Sequence, residues 1–158
     1  MAKDKPTIPA NKVPSKKWVH LQENDVTTEK LKDVFDHLSC KTFIEDDELY
    51  LDIDEINTLI LVSINYGDKY ISFSCVFDVS KTVPFLTKTL IINEVNNSIP
   101  FIKFTVPAED AFNDCIYSVS DLGFIGGVSV IELERAANSF IAALKIALTD
   151  SELHKLNG

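Results

Sequence analysis

Residues 57–79, NTLILVSINYGDKYISFSCVFDV, decide how this chain is read. Before Gly67-Asp68, the residues Ile60, Val62, Ile64 and Tyr66 recur at every second position, and after it Ile71, Phe73, Cys75 and Phe77 do the same. A period of two puts each set on one face of a β-strand. Gly67-Asp68 is expected as the two-residue loop of a hairpin, because the first loop position needs a positive φ that glycine adopts without the steric cost of a Cβ. That loop sets Ile64 opposite Ile71, Val62 opposite Phe73 and Ile60 opposite Cys75, with Ser63 facing Ser72 and Leu61 facing Ser74 on the other side. A three-residue loop would set Ile64 against Ser72 and Val62 against Ser74, so the two-residue register buries more apolar surface.

Working outward toward the C-terminus, residues 82–98 read as a helix with Pro84 in its first turn, where the missing N–H leaves no helical bond unmade. Its apolar surface is unusually wide. Phe85, Leu86, Leu90, Ile91, Ile92 and Val95 cover more of the circumference than one sheet face can bury, so the helix is either sandwiched or meets another protein. Pro100 stops it. Residues 101–106 and 114–120 then form a second hairpin, with Ile102, Phe104 and Val106 on one face of the first strand and Cys115, Tyr117 and Val119 on one face of the second. Gly123, Gly126 and Gly127 read as a flexible lead into the last helix. They match neither a Walker loop nor GxGxxG. Ser129 and Glu132 form a capping box, with Val128 and Leu133 as its hydrophobic staple. From residue 130 to about 148 the stripe Leu133, Ala137, Phe140, Ile141, Leu144 and Leu148 faces inward.

Toward the N-terminus, residues 41–53 read as a pair of short strands around the acidic turn Glu45-Asp46-Asp47-Glu48. The carboxylates there lack the spacing and the central glycine of an EF-hand, so they are expected as a solvated turn on a charged edge strand. Residues 27–39 read as the first helix, with Thr27 as N-cap, Val26 and Leu31 as staple, and Leu31, Val34, Phe35 and Leu38 as its apolar stripe. His37 falls outside that stripe, as a surface residue. Residues up to about 17 carry Pro6, Pro9 and Pro14 among lysines with no apolar period, and are expected as a mobile tail. Trp18, Val19 and Leu21 could dock that tail on the body.

The 158 residues are a single-domain length, divided as a basic tail over residues 1–24 and one α+β domain over residues 25–158. The net charge of −9 is uneven: up to Asn24 five lysines stand against Asp4 and Glu23, and the rest of the chain is strongly acidic. Such a body repels phosphate backbones, which argues against nucleic-acid binding. No apolar run approaches the roughly 20 residues of a membrane span, and the first residues lack a signal-peptide core, so a cytoplasmic protein without a membrane partner is expected. The odd, widely spaced Cys40, Cys75 and Cys115 contain no CxxC pair, and Cys75 and Cys115 lie in strand patterns as small buried thiols.

The order that emerges is helix, three strands, helix, two strands, helix, a curved antiparallel sheet of about five strands with the first and third helices on one face. With Asp46-Asp47-Glu48-Leu49 before an alternating strand, and Asn93-Glu94-Val95-Asn96 closing the middle helix before Phe101-Ile102-Lys103-Phe104, the chain resembles the YbjN-like family over residues 27–148. That family is described as candidate bacterial sensory transduction regulators with the fold of type III secretion chaperones. The resemblance implies this chaperone-like fold and no settled biochemical activity.

Three functions follow as expectations. The first is a regulatory or protein-interaction module, suggested by the wide apolar helix, the acidic body and the lack of a catalytic constellation. The second is a secretion-type chaperone holding an extended partner along its surface, as the type III chaperones it resembles do. The third is an enzyme or small-molecule-binding domain. It is disfavoured because His20 and His154 lie near the ends, His37 lies on a helix surface, and no GxSxG, HExxH or cysteine-histidine spacing is present. No catalytic residue, cofactor or metal ligand is assigned. Because Leu86 and Leu90 cannot share a sheet-facing stripe with Phe85, Ile92 and Val95, homodimerisation through this helix is expected, with Leu86, Leu90, Phe85 and Ile92 as interface residues. The secretion chaperones that it resembles dimerise around the corresponding helix.

Overall fold

The computed structural model describes residues 20–107 and 115–150, with Leu153 and Leu156 beyond them. The elements in order are β1 (His20–Leu21), α1 (Thr28–His37), β2 (Lys41–Glu45), β3 (Glu48–Ile53), β4 (Thr58–Asn65), β5 (Tyr70–Asp78), α2 (Phe85–Ser98), β6 (Lys103–Thr105), β7 (Cys115–Gly123), β8 (Val128–Ser129) and α3 (Val130–Asp150). Six strands form one sheet in the order β2-β3-β4-β5-β7-β6, every neighbouring pair antiparallel. The sixth strand arises because the short pair around the acidic turn is paired in full, from Lys41↔Asp52 to Glu45↔Glu48. Asp46 and Asp47 both take positive φ, 50° and 66°, as the tight turn between those strands requires.

The central hairpin has the expected register, with Ile64↔Ile71, Val62↔Phe73, Ser63↔Ser72 and Leu61↔Ser74, but the ladder ends there and the expected Ile60–Cys75 pair is not formed, each keeping its other neighbour, Leu51 and Ser118. Its turn differs. The ladder closes on Asn65↔Tyr70, so residues 66–69 form a four-residue loop, and the positive φ falls on Lys69 at 57° rather than on Gly67. A four-residue loop keeps the pairing of the two-residue one, since it opens the ladder by one further pair without shifting it. Asn65 holds this turn by accepting a 2.9 Å bond from the Asp68 N–H on Oδ1. Lys69 is secured from the far side: its carbonyl accepts from Phe124 N–H at 2.8 Å and its ammonium lies 3.5 Å from Glu23.

The core forms on one face of this sheet. Leu49 and Leu51 of β3, Ile60 and Val62 of β4, and Ile71 and Phe73 of β5 are buried together. Phe73 meets Phe35 of α1 edge-on at 6.2 Å and Phe140 of α3 at 6.2 Å, so both helices pack on that face. On β7 the core takes Ile116 and Ser118 rather than the face of Tyr117, because Phe77 pairs with Ile116 and Cys75 with Ser118. Ser118 is satisfied there by donating to the Cys75 carbonyl at 3.2 Å.

The helix starts follow their caps. Thr27 accepts from the Lys30 N–H at 3.3 Å, and the staple residues Val26 and Leu31 are buried. Ser129 Oγ accepts from the Glu132 N–H at 3.1 Å while Glu132 accepts from the Ser129 N–H at 2.8 Å, a capping box in both directions, over the buried staple of Val128 and Leu133. α2 begins at Phe85, with Pro84 as N-cap rather than inside the first turn.

The glycine-bearing stretch is not a flexible lead. β7 runs on through Gly123, and Gly126 and Gly127 form a tight turn at φ 79° and 112° into β8. There His20↔Ser129 and Leu21↔Val128 pair as a separate two-stranded ribbon, too short to give a sequence pattern. Any Cβ on Gly127 would run into the Leu21 carbonyl, so glycine is required for that approach. The expected mobile tail, Trp18 and Val19, and most of the connection between β6 and β7 lie outside the described residues.

Candidate interaction surfaces

Besides the buried Ile92 and Val95, α2 meets the sheet backbone through the side chain of Asn96. Asn96 Nδ2 donates to the Phe104 carbonyl at 2.9 Å, and its Oδ1 accepts from the Phe104 N–H at 2.8 Å. The amide acts as one further pair of the ladder, on the side of β6 that faces away from β7. Two motifs of the resemblance are thereby in contact. The edge of β6 is closed to another strand at its central residue.

This anchor fixes which side of α2 looks outward. Lys88, Ile92 and Val95 are buried, Phe85 and Ile91 are half-buried, and Leu86 and Leu90 are 68% and 61% exposed. Of the four residues expected at an interface, Leu86 and Leu90 are therefore presented together, Phe85 lies at their margin, and Ile92 belongs to the core. Phe101, just past the helix at φ 71°, is 85% exposed.

The second uncovered surface is the sheet face opposite the helices, which the one-face reading of residues 57–79 did not anticipate. Phe43 and Tyr50 stack there at 5.1 Å with their planes 12° apart. Beside them Leu59, Val76 and Tyr117 are exposed. Leu59, Leu61 and Val76 occupy the positions between the core residues of their strands, so the apolar character of both faces was visible in the sequence. Beside Leu59, Asp52 and Asp54 share Lys41, whose ammonium they hold above its usual lysine range.

Among the described residues the histidines and cysteines do not converge on one pocket. Burial pushes the Cys75 thiol up to about 12, and burial, followed by the carboxylates of Glu134 and Asp36, raises that of Cys40. Neither thiol is disposed toward the reactive thiolate. His20 and His37 are exposed on separate elements. Among the described residues no group of three or more His, Cys, Asp or Glu side chains is placed to hold a metal ion. No helix is long and apolar enough to cross a membrane among them.

The architecture defines a class: an α+β chain whose open antiparallel sheet carries helices on one face. Within it the fold is that of YbjN from E. coli, described as a candidate transcription regulator. The crystal structure of YbjN superposes with a TM-score of 0.69 over 81% of this chain and 93% of its own, at 16% identity. An uncharacterised protein from Methanothermobacter thermautotrophicus superposes with a TM-score of 0.57 over 83% of this chain and 99% of its own, also at 16% identity. No family model matches the chain, and no curated protein does. The likeness to these solved structures is one of fold.

Proposed function

We propose that this chain is a non-enzymatic, cytoplasmic regulatory module of the YbjN-like kind, working through protein contacts and pairing with a second copy through α2. The observation that carries the reading is the exposure of Leu86 and Leu90 on a helix whose opposite side is already buried. Two adjacent leucines on one helix face are costly to leave in water, and a two-fold contact is the commonest way to cover them. The description of YbjN as a candidate regulator of transcription supports a regulatory role. The acidic body argues that such a role runs through proteins rather than direct contact with DNA. Methyl NMR of the full chain over increasing concentration tests the surface: the Leu86 and Leu90 signals shift with concentration while that of buried Ile92 does not. Concentration-independent signals from both leucines would overturn it.

A second reading, a chaperone holding an extended partner, is favoured by the uncovered sheet face at Leu59, Val76 and Tyr117. The two readings call on different surfaces.

A further inference from the structure

β4 and β5 hold together over only part of their length. Their ladder runs from Asn65↔Tyr70 to Leu61↔Ser74 and ends there, although β4 starts at Thr58 and β5 continues to Asp78. Beyond that point each strand stays with its other neighbour. Thr58 and Leu59 pair with Ile53 and Asp52 of β3, while Cys75, Val76 and Phe77 pair with Ser118, Tyr117 and Ile116 of β7.

The alternation of an antiparallel ladder fixes which backbone groups this divergence leaves open. The two-residue turn at Asp46-Asp47 closes on Glu45↔Glu48 as a hydrogen-bonded pair. Counting from it, Leu49, Leu51 and Ile53 exchange their bonds with Val62, Ile60 and Thr58. Leu59 and Leu61 therefore turn their N–H and C=O toward β5. Leu61 meets Ser74, but Leu59 would meet Val76, and that pair is not formed. Both residues direct a donor and an acceptor into the space between the strands, the Val76 carbonyl also taking a weak bond from the Cys75 thiol at 3.7 Å. This space is an open slot of about 380 Å³ on the uncovered face, walled by Tyr50, Leu59, Leu61, Ser74 and Val76. Leu59 is 48% and Val76 54% exposed. Acid outweighs base at its rim: Asp52 and Asp54 share Lys41, and Asp78, two residues past Val76, is exposed.

We propose that this slot docks an extended polypeptide segment whose alternate side chains are small and apolar and which is flanked by lysine or arginine. Only an extended backbone offers donors and acceptors to both walls at strand spacing. The apolar side chains would lie against Leu59, Leu61 and Val76, and the flanking cations beside Asp52, Asp54 and Asp78. The chain's own first residues are poorer occupants, because Pro6, Pro9 and Pro14 interrupt the row of donors a strand needs. The inference rests on the reading of the chain as an interaction module, and it uses a surface other than α2.

The test is a titration of the full chain with the blocked peptide acetyl-Lys-Val-Thr-Val-Thr-Val-Lys-amide, followed by amide NMR and hydrogen exchange. The Leu59 and Val76 amides should exchange readily in the free protein and slow about tenfold or more on saturation. Replacing both threonines of the peptide by proline should abolish binding. Replacing its lysines by glutamate should weaken binding about tenfold or more through charge repulsion. Val76→Lys, at an exposed position, should remove binding of the lysine-flanked peptide while leaving the fold intact. Overturning results are Leu59 and Val76 amides as protected in the free protein as that of Leu61, shifts at another surface, no binding, or equal binding of the proline peptide. Sedimentation of the same samples reads self-association separately. A peptide-binding monomer keeps the slot and removes the α2 interface, and a dimer indifferent to the peptide does the reverse.

Discussion

Replacing Asn96 by alanine should destabilise the fold measurably while leaving every apolar contact of the core in place. The substitution removes the 2.9 and 2.8 Å bonds to the Phe104 carbonyl and N–H. At about 1 kcal/mol net for each bond, and somewhat more where the abandoned backbone groups stay shielded from water, the loss is about 2–3 kcal/mol. Alanine returns about 0.6 kcal/mol as the better helix former, so the net cost is about 2 kcal/mol. For a chain of this size that lowers Tm by about 4–8 °C. Asn96→Asp is the sharper companion: it keeps an acceptor for the Phe104 N–H but sets a carboxylate against the Phe104 carbonyl, so it should cost at least as much as alanine. Thermal unfolding followed by circular dichroism, with urea unfolding as a check on the slope, measures both. An unchanged or raised Tm for Asn96→Ala would refute the reasoning that α2 is held to the sheet through this amide.

Gly127→Ala should cost at least about 2 kcal/mol and expose the Leu21 and Val128 amides to exchange, because φ of 112° and the blocked approach of the Leu21 carbonyl act together. Gly126→Ala, at φ 79° with open space around it, should cost only about 1–2 kcal/mol in chemical unfolding. Stability should fall as the pH drops below about 4.5, the ordinary value of Glu132, whose carboxyl is held lower by the bonds from the Ser129 hydroxyl and N–H. Glu23, bonded by the Gly126 N–H, and Asp36, bonded by Lys32 and Thr42, act in the same sense. A carboxyl depressed in the folded state stabilises above its unfolded pKa and loses that contribution as the pH falls through its folded one, so Glu132→Gln should flatten the acid side of a pH–stability curve. Cys75, with its thiol pushed up to about 12, should resist an aromatic disulfide reagent at pH 8 until the protein is unfolded, which a timed absorbance assay measures.

Strand pairing was legible where alternation was strong. Ile60, Val62 and Ile64 against Ile71 and Phe73 admit one good register, and it forms even though the turn that closes it differs. Caps were legible for the same reason: Thr27, and Ser129 with Glu132, satisfy local donors whatever the tertiary setting. What escaped was decided at a distance. The His20–Leu21 ribbon depends on Gly127, more than a hundred residues away, and two residues give no period. On β7 the face of Cys115, Tyr117 and Val119 is the more apolar in sequence, yet pairing with Cys75 and Phe77 selects Ile116 and Ser118 for the core. On α2 the pattern separated Leu86 and Leu90 from Phe85, Ile92 and Val95, and Ile92 is buried as that sheet-facing stripe implies, although it was also expected among the interface residues. The slot between β4 and β5 was hidden for a related reason. Two well-patterned strands predict a full ladder, and their divergence follows from rival partners, β3 and β7.

Sedimentation velocity of the full chain across micromolar concentrations tests the central claim, pairing through the outward side of α2. The account predicts a reversible dimer, converted to a monomer of unchanged circular dichroism by Leu86→Asp or by Leu90→Asp. A monomer at every concentration, or a dimer that neither substitution disturbs, would contradict it.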